Sequence, residues 1–177
     1  MDEIVRAALK KWPNVPDFYG WLALDARGEW YMRDDRVQVA GPFPAVKGSR
    51  IDHEKLRAFI ERNYAADESG CWYFQNGPQR VYVELEAAPW VWRLPPHGGA
   101  AQVHAHTGAP AHVASCWLDE RGRLFLATEL GLGIVHTQDM LQASNLVESG
   151  AWAPQPISFA ELPERFGYRL EPRPARP

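Results

Sequence analysis

The sequence predicts an α+β protein: mostly antiparallel sheet covered by two or three helices, with a hairpin–helix–strand unit that occurs twice. Three observations carry this. Residues 24–32 and 118–126 align without gaps, each an Asp-x-Arg-Gly turn between apolar runs. Segments rich in Val, Trp and Tyr alternate in the manner of half-buried strands, as at 81–86. Within 52–64, Leu56, Phe59, Ile60 and Tyr64 fall on one helical face.

Each element follows in order. Residues 1–18 read as an N-terminal helix and linker. The helix spans 2–12, with Asp2 as cap, Lys10 and Lys11 in the last turn, and a stripe of Ile4, Val5, Ala8, Leu9 and Trp12. So short a helix must dock, on its own domain or on a second copy, so the stripe is a route to an oligomer. Residues 19–94 form the first half. A hairpin occupies 19–39, turning at Asp25-Ala26-Arg27-Gly28, and a Gly/Pro-rich loop occupies 40–50. The helix at 52–64 has Asp52 as its cap candidate. Strands follow at Cys71–Gln75, Val81–Glu86 and Pro89–Leu94. In the middle one Val81, Val83 and Leu85 oppose Tyr82, Glu84 and Glu86, which gives one wetter face. Residues 95–112 are a Pro/Gly/His-rich connection with a strand at Gln102–His106. The second half, 113–170, repeats the hairpin at 113–128, opens a loop at Gly131 and Gly133, and adds a helix at 137–147 capped by Thr137. Both helices lead on to Glu-Ser-Gly-x-Trp, at 68–72 and 148–152. The tail, 171–177, holds three prolines and reads as disordered.

Composition narrows the function classes. The 177 residues suit one domain or two small halves sharing a core, too few for a (β/α)₈ barrel and enough to fold without a disulfide or metal. A net charge of −3 and a pI near 6.1 give no footprint for a nucleic-acid backbone. Cys71 and Cys116, each beside a Trp, read as reduced, half-buried thiols. The acidic start is unlike a signal peptide, and no apolar run approaches the ~18 residues of a membrane span. The expectation is a cytoplasmic protein, with neither nucleic acid nor membrane as partner.

The run 72–86 (WYFQNGPQRVYVELE), followed by 89–94 (PWVWRL), resembles an uncharacterised proteobacterial family. Gly20-Trp21-Leu22 with Trp30-Tyr31, and His106-Thr107-Gly108 before the second hairpin, carry the same resemblance. The chain is also similar to a second uncharacterised bacterial family, with a helix, a D-x-x-G-x-aromatic strand and an E-x-A-P motif, here Glu86-Ala87-Ala88-Pro89. That resemblance implies a duplicated α+β fold and a signalling role, and it carries over no catalytic residue.

The residues offer two sites. Around the 75–80 turn, amides and a guanidinium lie near large π-faces. This is the expected site for a small anionic or polar ligand: Gln79 and Arg80, with Tyr82, Trp90 and Trp92 as aromatic wall. The second is a histidine cluster at 97, 104, 106 and 112. His104 and His106, at i and i+2 on a strand, would face one side as metal ligands can, with a third ligand from His112 or from another strand. There is no Gly-x-Ser-x-Gly elbow and no phosphate loop. His112 and Cys116 on one strand would lie about 13 Å apart, too far for a dyad. The expected function is therefore a non-catalytic small-ligand or protein-binding module, extending to regulation; the sequence predicts no particular cofactor. The alternative is a His-dependent metal enzyme centred on His104 and His106.

Overall fold

Ridges of apolar side chains, set by strand register, organise the first of two compact units. The computed structural model describes residues 1–96 and 99–174. One unit comprises residues 1–25, 29–86 and the chain from Tyr168 on; the other comprises Ala26–Gly28 and Ala87–Gly167. The division falls after Glu86 rather than after Leu94, because 90–93 pairs with strands that follow it. The chain from Tyr168 returns to the first unit, where the Leu85 N–H donates to the Leu170 carbonyl.

In the first unit, α1 (Glu3–Lys11) buries Val5 but leaves Ile4 and Trp12 exposed, so the expected stripe is only partly docked. Asp2 holds the N-cap position, but its side chain makes no cap hydrogen bond; its carboxylate pairs with Arg62 at 3.3 Å. β1 (Phe18–Leu24) and β2 (Trp30–Met32) form the expected hairpin. α2 (Asp35–Ala40), capped by Asp34, lies where the hairpin was expected to continue, and β3 (Ser49–Arg50) falls inside the expected loop. α3 (Glu54–Arg62) is capped by His53, whose Nδ1 accepts from Leu56 N–H, and not by Asp52. β4 (Tyr64–Ala66), β5 (Trp72–Asn76) and β6 (Gln79–Leu85) complete a six-stranded sheet of order β3-β2-β1-β6-β5-β4. Only the central β1–β6 pair is parallel.

Register builds three rungs on one face: Phe74–Val81–Phe18, Val83–Leu22–Met32 and Leu85–Leu24–Trp30. Helix α3 packs on this face, with Phe59 edge-on to Phe74 at 5.4 Å. The opposite face of β6 is not wet as expected. Tyr82 and Glu84 are buried, and Glu84 pairs with the buried Arg33 at 3.2 Å.

In the second unit, β7 (Trp90–Arg93), β8 (Gln102–Ala105), β9 (Pro110–Leu118), β10 (Leu124–Thr128) and β11 (Gly131–Val135) close into a ring, since β9 pairs with β10 and β11 pairs back to β7. Gly131 and Gly133 therefore belong to a strand, not a loop. A 3₁₀ turn (Thr137–Asp139), capped by His136, leads into α4 (Met140–Glu148). β12 (Gln155–Pro156) adds parallel to β9, and α5 (Leu162–Phe166) follows. The described residues thus hold five α-helices and twelve strands in mixed sheets, where two or three helices and mostly antiparallel sheet were expected. Within the tail expected at 171–177, Pro172 is buried and Glu171 pairs with Arg173; 175–177 lie outside the described residues.

The two hairpins share one register. Leu24 opposes Trp30 as Leu118 opposes Leu124, and Leu22 opposes Met32 as Cys116 opposes Leu126. Gly28 and Gly122 take φ of 78° and 73°, which glycine adopts without strain. The Glu-Ser-Gly-x-Trp matches differ in setting. The first turns between β4 and β5; the second ends α4.

Candidate functional site

The rungs of the first unit are not fully covered. Between them and α3 lies a cleft of about 380 Å³. β1 and β2 supply Phe18, Trp21, Leu22 and Met32; Ile51 and α3 supply Leu56, Phe59 and Ile60; the β5–β6 hairpin supplies Phe74, Val81, Asn76 and Gln79. An irregularity in β1 shapes it. Between Phe18 and Leu22 the register against β6 shifts, and Gly20 takes φ of 76°. Phe18 and Trp21 then both line the cleft, ring centroids 6.0 Å apart and edge to face. Phe18 and Met32 remain exposed at the rim. Ten of the twelve lining side chains are apolar, and the other two are neutral amides.

The residues expected to form one site fall on both faces of β6 and on β7 of the second unit. Gln79 lines the cleft, and its amide N–H₂ donates to the Pro16 carbonyl at 2.9 Å. Arg80 and Tyr82 follow the alternation to the other face of β6. There Arg80 lies over the Tyr73 ring at 4.6 Å. Tyr82 donates to Asp67 at 3.0 Å and stacks on Tyr19. Burial pushes the Tyr82 phenol well up. Trp90 and Trp92 stand on β7 in the second unit, stacked at 6.1 Å. Their indole N–H groups donate to the Leu130 and Leu126 carbonyls, so both act as packing.

The histidines also diverge. His106 lies beyond the end of β8, its ring 5.8 Å from that of Trp90. Its Nδ1 accepts from Val91 N–H at 3.3 Å, and burial lowers its pKa to about 3. A neutral ring using Nδ1 in this way is a structural acceptor. His104 pairs across from Arg93, and His112 is exposed beside Glu129 at 3.1 Å. Among the described residues no three His, Cys, Asp or Glu side chains are placed to hold a metal ion. His97 lies outside the described residues.

A polar cluster joins two sequence motifs. Asp25, from the first hairpin turn, and Glu86, from the E-x-A-P motif, both accept from Lys47, at 2.9 and 3.2 Å. Burial opposes the Lys47 charge, but these carboxylates keep its pKa above the ordinary value. Tyr31 donates to the same Asp25 oxygen.

A family described as "Protein of unknown function (DUF2946)" matches residues 1–173. The chain belongs to this family, DUF2944. No curated protein matches the sequence. The DUF2944 chain is similar in fold to the crystal structure of a DUF1285 family protein from Silicibacter pomeroyi DSS-3, at 13% identity over 82% of this chain and 85% of that one, with a TM-score of 0.51. A DUF1285 family protein from Shewanella baltica OS155 aligns at 14% identity over 71% of this chain and 91% of that one, with a TM-score of 0.45. Among the described residues of the DUF2944 chain, no helix is long and apolar enough to cross a membrane.

The cleft was missed because its residues read as ordinary core. One signal was available: Phe18 and Trp21 lie three apart around a glycine, which breaks strand alternation and marks a bulge. Lys47 had no signal, since it sits in a segment read only as loop.

Proposed function

We propose that the chain is a non-catalytic module that binds a small apolar ligand in the first unit's cleft. The observation that carries this is the lining: a partly open concavity of about 380 Å³, apolar on its walls, with two amides. Its size and composition are those of small-molecule sites. None of the twelve lining residues is an acid, a base or a nucleophile, which supports binding without conversion. Occupancy is then the output, in keeping with a regulatory role. The two free, buried cysteines support a reducing, cytoplasmic setting.

The test is a titration with N-phenyl-1-naphthylamine, a neutral probe whose emission rises in apolar sites. Saturable binding is expected, weakened at least tenfold by Leu56→Trp, which fills the cleft, and by Met32→Trp at its rim.

We further infer that the two hairpins are copies of one unit. Their shared register and matched turn glycines support this. An experimental structure in which the two hairpins pair in different registers would overturn it.

A further inference from the structure

We infer that the cleft selects an uncharged ligand: a rigid apolar body of about two rings' bulk, with one hydrogen-bonding group that meets the Asn76 and Gln79 amides. This rests on the binding reading above and adds the ligand's chemistry.

The size argument is direct. A cavity of about 150 Å³ lined by aliphatic and aromatic residues admits benzene. A cleft of about 380 Å³ has more than twice that room. Its walls suit a flat body, since Phe18, Trp21, Phe59 and Phe74 present four aromatic rings to it.

The charge argument decides the class. A charged group moved into an apolar cleft loses hydration and needs a counter-charge there. The lining supplies none. Of the charges beside it in sequence, Asp17 and Lys55 are exposed and do not line the cleft, and others are engaged elsewhere. Arg50 and Asp52, which flank Ile51, pair with each other at 2.7 Å. Glu61 accepts from the Trp30 indole at 3.3 Å, and Arg57 lies 3.9 Å from Glu29. Arg80, next to Gln79, lies over Tyr73 on the opposite face of the strand.

The polar contact is fixed by the hairpin. Asn76 and Gln79 are paired across the β5–β6 turn, so their Cα atoms are held opposite each other at one end of the cleft. The donor side of Gln79 is used by the Pro16 carbonyl, which leaves its Oε1 available as an acceptor. Asn76 is exposed and offers both donor and acceptor. Together they match an amine N–H, a hydroxyl or an amide on a neutral molecule.

The experiment compares two probes with the same anilinonaphthalene body. N-phenyl-1-naphthylamine is neutral, and 1-anilinonaphthalene-8-sulfonate carries one negative charge. The neutral probe is expected to bind at least tenfold more tightly. Leu56→Trp and Met32→Trp, each checked for folding by circular dichroism, should weaken it at least tenfold. Asn76→Lys, at an exposed position, should strengthen the sulfonate severalfold and weaken the neutral probe, which loses the Asn76 amide. Equal affinity for both probes, with both lost in the cleft variants, overturns the selection and leaves the cleft reading standing. A sulfonate affinity unmoved by Asn76→Lys also overturns it. Neutral-probe binding that is absent, or unaffected by both cleft variants, overturns the cleft reading and this inference with it. A dimer in sedimentation velocity that the cleft variants dissociate would show a second copy on the cleft and overturn both.

Discussion

The indole of Trp92 fills the space that a side chain on Gly133 would need. Trp92 is fully buried on β7, and its N–H crosses the neighbouring strand β11 to reach the Leu126 carbonyl on β10 at 2.9 Å. Gly133 lies beneath that path. A Cβ built on it would collide with the Trp92 ring and stand 2.7 Å from Trp90 Cβ. Both tryptophans depend on this bare stretch of backbone.

Gly133→Ala is therefore expected to destabilise the protein by about 1–3 kcal/mol, the usual cost of overpacking a filled core. Urea titration followed by circular dichroism checks it. An unchanged midpoint would refute the packing.

Stability should also fall on acidification through His106. Burial holds its pKa near 3, below the ~6.5 of an unfolded chain. The unfolded state then binds the proton first. The contribution of His106 is complete above about pH 6.5 and is lost as pH falls towards 3, by at most about 1.4 kcal/mol per unit. Urea midpoints from pH 7.5 to 5 should drop, and His106→Asn should flatten that slope.

Arg33 and Glu84 form a buried pair in the first unit. The Arg33 guanidinium also donates to the Val46 carbonyl and, at 2.9 Å, to that of Gly41. Burial raises the Glu84 pKa despite Arg33, so the carboxylate depends on its partner. Arg33→Met should cost about 3–5 kcal/mol, because it leaves a buried carboxylate unpaired. The double variant with Glu84→Leu should recover a large share, as a double-mutant cycle would show.

Phe59 is half-buried, because one side of its ring forms the cleft wall. Phe59→Ala should cost about 1–2 kcal/mol, less than the ~3–5 kcal/mol of an enclosed phenylalanine. The same variant should weaken binding of the neutral probe in the titration described above. A loss as large as for an enclosed ring would mean that the cleft closes in solution.

Local periodicity determined a good part of this protein. The Asp-x-Arg-Gly turns form where they were read, with Asp25 accepting from Glu29 N–H and Asp119 from Arg123 N–H. Helix α3, both hairpins and the strands at 72–76, 79–85 and 90–93 follow from spacing, because alternation and the helical stripe are properties of neighbouring residues. What lay beyond neighbours was decided by tertiary structure. Nothing within 90–93 or 131–135 specifies that these strands pair in parallel and close a ring, since pairing partners are chosen by the whole sheet. Gly133 looks like loop chemistry until Trp92 is placed over it. The candidate site shows the same limit. Arg80 and Gln79 are adjacent in sequence, but a strand sends neighbours to opposite faces, and only the packing of α3 decides which face keeps an opening. The guanidinium went to the closed side, and an amide and an apolar wall went to the open one.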